Sequence, residues 1–284
     1  MKLVKTSILV KGYSTILIED HIKDYFSQVS DKQEGGSFYK VIVLHDSPDV
    51  SWEDISLTVP SLSRGWYELA QLETPDRVEF TRDYWISKLP FHPKSLESIS
   101  QFFDCVEDIG IVVAQKHTDG PLVAHMIYAF KDGNGFFHGC SPMTEEESIA
   151  LQEMFAEFIL PEDYMAFMEV HNGFSKSTDS GIISTRIMPE VCKRFYALVD
   201  TEASLLTTQG KVVDPQSLIP FYESFGRPFF QCFWKEWYPK NEMGNVYYSG
   251  STNTVSDPGN GRRENSMTFP TFLDWFFFYL ESIG

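Results

Sequence analysis

The sequence predicts an α+β protein of two domains, residues 1–140 and 144–284. Three observations carry that reading. Runs rich in β-branched and aromatic residues are interspersed with segments whose apolar residues recur at helical spacing. A hairpin lies near the middle of the chain, which makes part of the sheet antiparallel. The chain has 284 residues, 43% of them hydrophobic, 15% aromatic and 22% charged, so it is long enough for two ordinary cores and too apolar for disorder.

Taken in order, residues 37–44, SFYKVIVL, follow a Gly35-Gly36 breaker and read as a strand. Val50 to Pro60 reads as irregular or a short strand, and Trp66 to Leu72 fits strand or helix. Leu96, Ile99, Phe102 and Phe103 recur at helical spacing after Pro93, which predicts a helix over 95–105. Ile109 to Gln115 is a β-branched apolar run. Leu122 to Phe130 and Phe136 to Gly139 are the hairpin arms, joined by Lys131-Asp132-Gly133-Asn134-Gly135, a linker of residues that tolerate positive φ.

A domain boundary is expected near Ser141-Pro142-Met143. Thr144 with Glu147 three residues on forms a capping box, and Glu145 and Glu146 favour the positive end of the helix dipole. Ile149, Leu151, Met154, Phe155 and Phe158 supply the stripe of that helix, which runs to Leu160-Pro161. Pro161 fixes φ and turns the chain. Asp163 is placed to cap a second helix that buries Tyr164, Phe167 and Met168, and Gly173 after Asn172 suits a left-handed cap. Residues 182–187 read as a strand and 190–198 as a helix. Leu218 to Tyr222 and Phe229 to Trp234 flank a Gly226-Arg227-Pro228 turn as two strands, and Asn245 to Tyr248 is another. Gly250 to Arg263 is a polar loop, and Phe272, Leu273, Phe276, Phe277 and Leu280 mark a closing helix over 268–283.

The succession Leu160-Pro161-Glu162-Asp163-Tyr164, Phe167, Asn172-Gly173 resembles the core motif of the SUKH (SMI1/KNR4) superfamily. Leu218-Ile219-Pro220-Phe221, the aromatic strand through Phe233 and the helix from Ser266 to Leu280 follow in that family's order. The resemblance covers residues 144–284 and leaves 1–140 without a role. It departs from the family pattern at Phe174, where a second glycine is common, and at Gly226-Arg227-Pro228. It implies helices packed on a twisted, mostly antiparallel sheet. It also implies protein binding, either as an immunity protein that neutralises a toxin or as an interaction hub. Leu160, Pro161, Asp163, Tyr164, Phe167, Asn172 and Gly173 are read as structural members of that motif.

The charge balance excludes partners. With 23 Lys and Arg against 40 Asp and Glu, the formal net charge is −17, and the longest basic run is Arg262-Arg263. Nucleic acid and anionic membrane are therefore poor partners, whereas a basic protein is attracted. The four cysteines, Cys105, Cys140, Cys192 and Cys232, show no CxxC spacing. The apolar run Ser7 to Val10 is too short for a signal h-region, so a reduced cytoplasm is expected.

Nucleotide-binding loops, nucleophile elbows, HExxH and EF-hand spacings are absent from the sequence. His117, His125, His138 and Cys140 form the one metal-like set, but scattered His and Cys in an apolar hairpin favour core or rim positions. No cofactor and no metal is expected. A hydrolase with a His/Cys site in the N-terminal half is the competing class, and a hub with several partners is a third. Partner contact is assigned to Trp234, Glu236, Trp237 and Tyr238, because Trp and Tyr dominate binding hot spots. On that assignment, Trp237→Ala weakens binding and leaves the thermal transition nearly unchanged.

Overall fold

The computed structural model of the protein describes residues 20–27, 38–131, 135–177, 179–200, 203–224, 228–258 and 267–281. Outside these lie Met1 to Val10, the Gly35-Gly36 breaker, Gly226-Arg227, residues 132–134 of the hairpin turn, 259–263 of the predicted loop, and Ser266. The described strands are β1 (Lys40–Val43), β2 (Val106–Gln115), β3 (Leu122–Phe130), β4 (Phe136–Cys140), β5 (Phe174–Lys176), β6 (Gly181–Ile182), β7 (Leu206–Thr207), β8 (Leu218–Ser224), β9 (Phe229–Trp234), β10 (Asn245–Ser249) and β11 (Thr254–Val255). The helices are α1 (Asp20–Tyr25), α2 (Trp52–Thr58), α3 (Arg64–Leu69), α4 (Thr74–Lys88), α5 (Ser95–Cys105), α6 (Glu145–Met154), α7 (Glu162–Met168), α8 (Met188–Val199) and α9 (Phe272–Glu281). The fold is α+β.

The strands form one sheet in the order β1-β2-β3-β4-β5-β6-β8-β9-β10-β11-β7. Every pairing is antiparallel except β11 with β7. The predicted hairpin is present as β3 and β4, closing at Ala129 opposite Phe136. Sheet and core both cross the boundary expected near Ser141-Pro142-Met143. Strand β4 before it pairs with β5 after it, through Phe137 opposite Lys176 and Gly139 opposite Phe174.

Strand β2 is buried almost throughout, as a strand covered on both faces must be. Its alternation sorts the two faces. Ile111 and Val113 face the larger core with Met126 and Tyr128, while Val112 and Ala114 face a smaller cluster with Ile127, Ala129 and Phe136. Helix α1 and the turn after it cover that second face through Ile22 and Phe26.

The larger core is organised on Trp85 of α4, which is fully buried. Its ring packs on Phe102 of α5 at 5.5 Å, Phe167 of α7 at 6.0 Å, Phe174 of β5 at 5.6 Å and Phe276 of α9 at 5.8 Å. Its indole N–H donates to Tyr128 Oη at 3.1 Å. Tyr128 in turn lies 2.6 Å from His171 Nε2, and His171 Nδ1 lies 3.0 Å from the Cys140 carbonyl. The carbonyl can only accept, so Nδ1 carries the proton and Nε2 accepts from Tyr128. Every polar atom of this buried chain is thereby satisfied. Burial holds His171 neutral, with its pKa pushed down to about 4.

Several elements differ from expectation. Residues 52–58 are a helix, started by Ser51, whose Oγ accepts from Asp54 N. Residues 64–69 are helical, one of the two readings open for Trp66 to Leu72, with Ser63 in the same capping role. Leu96 of α5 is 65% exposed, while Ile99, Phe102 and Phe103 are buried as expected. The strand expected over 182–187 is confined to β6, and Thr254–Val255 pairs within the stretch expected as loop. Asp163 sits inside the first turn of α7 rather than capping it, since Pro161 is the capping residue. Its carboxylate accepts instead from Tyr164 N and, at 2.9 Å, from Leu273 N, tying α7 to the start of α9.

Candidate functional site

Thr144 begins α6 with the predicted reciprocal cap. Its Oγ1 accepts from Glu147 N, and Glu147 Oε2 accepts from Thr144 N at 3.0 Å. The same Glu147 carboxylate accepts from Asn172 Nδ2 at 3.0 Å and from Arg186 Nε at 2.7 Å. Burial pushes the Glu147 pKa up, but the hydrogen bonds from Thr144, Arg186 and Asn172 outweigh it and hold the group below its usual value. Asn172 is fully buried and also holds Thr185 through both ends of its amide. Helix α6 is thus fixed at its N-terminus to the Asn172-Gly173 corner, where Gly173 adopts φ +103°.

Beyond this anchor the expected apolar stripe divides. Leu151 and Phe155 are buried, whereas Ile149 is 50% and Met154 40% exposed. The helix ends at Met154, so helical spacing no longer governs the residues after it. Phe155 and Leu160 then anchor the connecting turn and leave Ile159 between them 90% exposed. Ile149, Gln152, Ala156, Phe158, Ile159 and Met165 line a surface groove of about 470 Å³. Exposed Glu145, Glu146, Glu153, Glu157 and Glu162 lie on the same two helices and their connection. Isolated exposed apolar residues are ordinary; an apolar groove with charged neighbours marks interaction surfaces.

The assigned contact residues are split by the fold. Trp234 is 2% exposed, with its indole N–H donating to Ser217 Oγ at 3.1 Å, and is core. It occupies the buried end of β9, so it is removed from the contact set. Trp237 is half-buried and lies over Gly244, where an added Cβ would meet its ring at 2.5 Å. Replacing it removes packing, which reverses the expectation of an unchanged thermal transition. Glu236 and Tyr238 are exposed. They follow Lys235, whose Nζ stands 3.9 Å from the ring centroid of Phe158, so this segment adjoins the groove. Burial lowers the Lys235 pKa, against the pull of Glu157 and Asp214.

The motif residues Leu160, Pro161, Asp163, Tyr164, Phe167, Asn172 and Gly173 are all buried. They position the groove and do not line its open side, apart from Leu160 at its base.

His125 and His138 do converge, with ring centroids 5.9 Å apart, and His125 stands opposite Cys140 in register. They are packed under α1 beside Tyr25 and Phe26. His138 Nε2 lies 3.0 Å from the Ser177 carbonyl and 2.9 Å from Ser175 Oγ. Burial keeps both rings neutral, at about 3 for His125 and about 4 for His138. His117 is exposed in the β2–β3 connection. Among the described residues, no group of three or more His, Cys, Asp or Glu is arranged to hold a metal ion. The residue set on which the hydrolase alternative rested is therefore not assembled as a metal site.

Sequence reasoning missed Ile159 and His171. The first was assigned to no surface because Phe158 and Leu160 were read as the end of one helix. The second had no signal beyond Gly139 on the neighbouring strand, where any Cβ would meet the His171 ring at 2.3 Å. Comparison with protein-family models, with curated proteins and with solved structures returns no match. No helix among the described residues is long and apolar enough to cross a membrane.

Proposed function

We propose that the protein is a non-enzymatic binding module that holds one basic protein partner through the α6–α7 face. The observation that carries this is the exposure of Ile149, Met154 and Ile159 at a groove lined in part by Glu153, on elements that carry four further exposed glutamates. Apolar side chains supply contact area on complex formation, and the surrounding carboxylates steer a positively charged partner and select against acidic ones. Glu236 and Tyr238, beside Lys235, extend the rim. The resemblance to the SUKH superfamily supports an immunity-type role, in which the partner is a toxin or effector domain neutralised by stoichiometric binding in the cytoplasm. A hub with several partners is the second reading, favoured by a separate exposed pair, Phe91 at 94% and Leu96 at 65%.

The test compares the wild type with an Ile149→Glu/Ile159→Glu variant as baits for a native lysate at low and high salt, followed by titration of the retained protein in purified form. Both substitutions lie on exposed positions, so the thermal transition should hold. The expected result is a one-to-one complex with a basic protein, weakened at least tenfold in the variant and slower to form at high salt. Equal affinity for both baits would overturn the assignment of this face. Retention of several substoichiometric proteins by both would favour the hub.

A further inference from the structure

A second concave site, lined by other residues than the α6 groove, lies where α9 packs on the sheet. Tyr222, Gln231 and Tyr247 stand in register across β8, β9 and β10 and point to one face. With Trp275 and Phe278 of α9, and Asp179 at the β5–β6 connection, they line a cleft of about 530 Å³. The rings back one another: Tyr222 packs on Trp275 at 5.1 Å, and Trp275 stacks on Tyr279 at 5.3 Å. Tyr222 Oη donates to Asp179 Oδ2 at 2.8 Å, and Tyr279 Oη accepts from Lys176 N at 3.0 Å. Such a floor is fixed before any ligand arrives, which lowers the ordering cost of binding.

Gln231 gives the cleft its chemistry. The side chain is 1% exposed, and its orientation follows from its neighbours. Asn245 Nδ2 donates to the Thr271 carbonyl at 2.9 Å, so Asn245 turns Oδ1 towards Gln231. Gln231 must then present Nε2, which donates to Asn245 Oδ1 at 2.8 Å and to the Met267 carbonyl at 3.1 Å. This leaves Oε1 as a buried acceptor with no partner. An unmet buried acceptor is destabilising, and a ligand N–H recovers that loss. The Asp179 carboxylate and the π faces of the lining aromatics favour positive charge on the same ligand, and among the described residues of the lining Lys176 is the only Lys or Arg. An overall charge of −17 acts in the same direction.

We propose that this cleft binds an organic cation, an amino or guanidino group on an apolar stem, with an N–H donated to Gln231 Oε1 and the charge held beside Asp179. The group can belong to a free small amine or to a Lys or Arg side chain of a peptide. The site is independent of the α6 face, so either assignment can fail without the other.

The probes are benzylamine and benzamidine as free cations, the N-acetyl amides of arginine and lysine as side-chain surrogates, and benzyl alcohol as the neutral analogue. Binding to the full chain is read by calorimetry and by tryptophan fluorescence, since Trp275 lines the cleft. Saturable binding of cations at least tenfold tighter than benzyl alcohol is expected, with the tighter pair of cations identifying the source. Asp179→Asn keeps an oxygen for Tyr222 and should weaken cations at least tenfold while leaving benzyl alcohol unchanged. Gln231→Met serves as a second variant, read only where its thermal transition is retained. Equal binding of cations and benzyl alcohol, no saturation by any cation, or wild-type affinity in Asp179→Asn would overturn the proposal.

Discussion

At the scale of single residues, the buried acid Asp163 ties stability to pH. Burial raises its pKa to about 7, against the N–H groups of Leu273 and Tyr164 and with help from the Glu242 carboxylate. In an unfolded chain an aspartate titrates near ~3.9. The folded protein therefore holds this proton more tightly, so the contribution to stability is complete below that value and is lost as pH rises through about 7. Denaturant unfolding at pH 4 and pH 8 should show the wild type losing about 2–4 kcal/mol more than Asp163→Asn across that span. The same pH slope in both proteins would show that another group titrates. The sequence showed Asp163 as a motif position beside Pro161, and nothing local revealed that its partner is Leu273, far along the chain.

At the scale of elements, legibility followed the chemistry of the inward face. Helix α5 could be read because Ile99, Phe102 and Phe103 are apolar and buried. Helix α4 is longer yet gave no periodic signal, because its buried residues are Arg77, Thr81 and Trp85. The Arg77 guanidinium donates to Asp108 Oδ1 from Nη2 at 2.7 Å and from Nε at 3.2 Å, and to the Leu72 carbonyl at 2.6 Å. Asp108 lies at the irregularity in β2, where the register with β3 shifts. A buried pair of this kind fixes how helix and strand meet, and removing one charge strands the other. Arg77→Met should lower stability by roughly 3–5 kcal/mol, and Arg77→Met/Asp108→Asn should recover at least half, because Asn keeps an oxygen for the Ile109 N–H. A double variant no more stable than the single would show that the loss is packing alone. The end of α6, expected at Leu160-Pro161, was not legible for a related reason: a stripe at helical spacing says nothing of where the helix stops, and here the chain leaves it at Met154.

At the scale of the whole molecule, the class of fold was legible and the way its parts join was not. Strand runs and helical stripes are local, whereas the pairing of β4 with β5 links segments separated by two helices and leaves no local mark. Trp85 packs against Phe167, Phe174 and Phe276 across the expected boundary. Thermal or denaturant unfolding followed by tryptophan fluorescence and by far-ultraviolet dichroism should therefore give one coincident transition. Two separated transitions would show that residues 1–140 and 144–284 unfold as independent units. The central position of α9 carries a further consequence during synthesis. Phe276 touches both Trp85 and Phe167, yet α9 is the last of the described elements to leave the ribosome. Until it emerges, the nascent chain presents an unroofed apolar sheet, which depends on the arrival of α9, or on a chaperone holding its place, to escape aggregation.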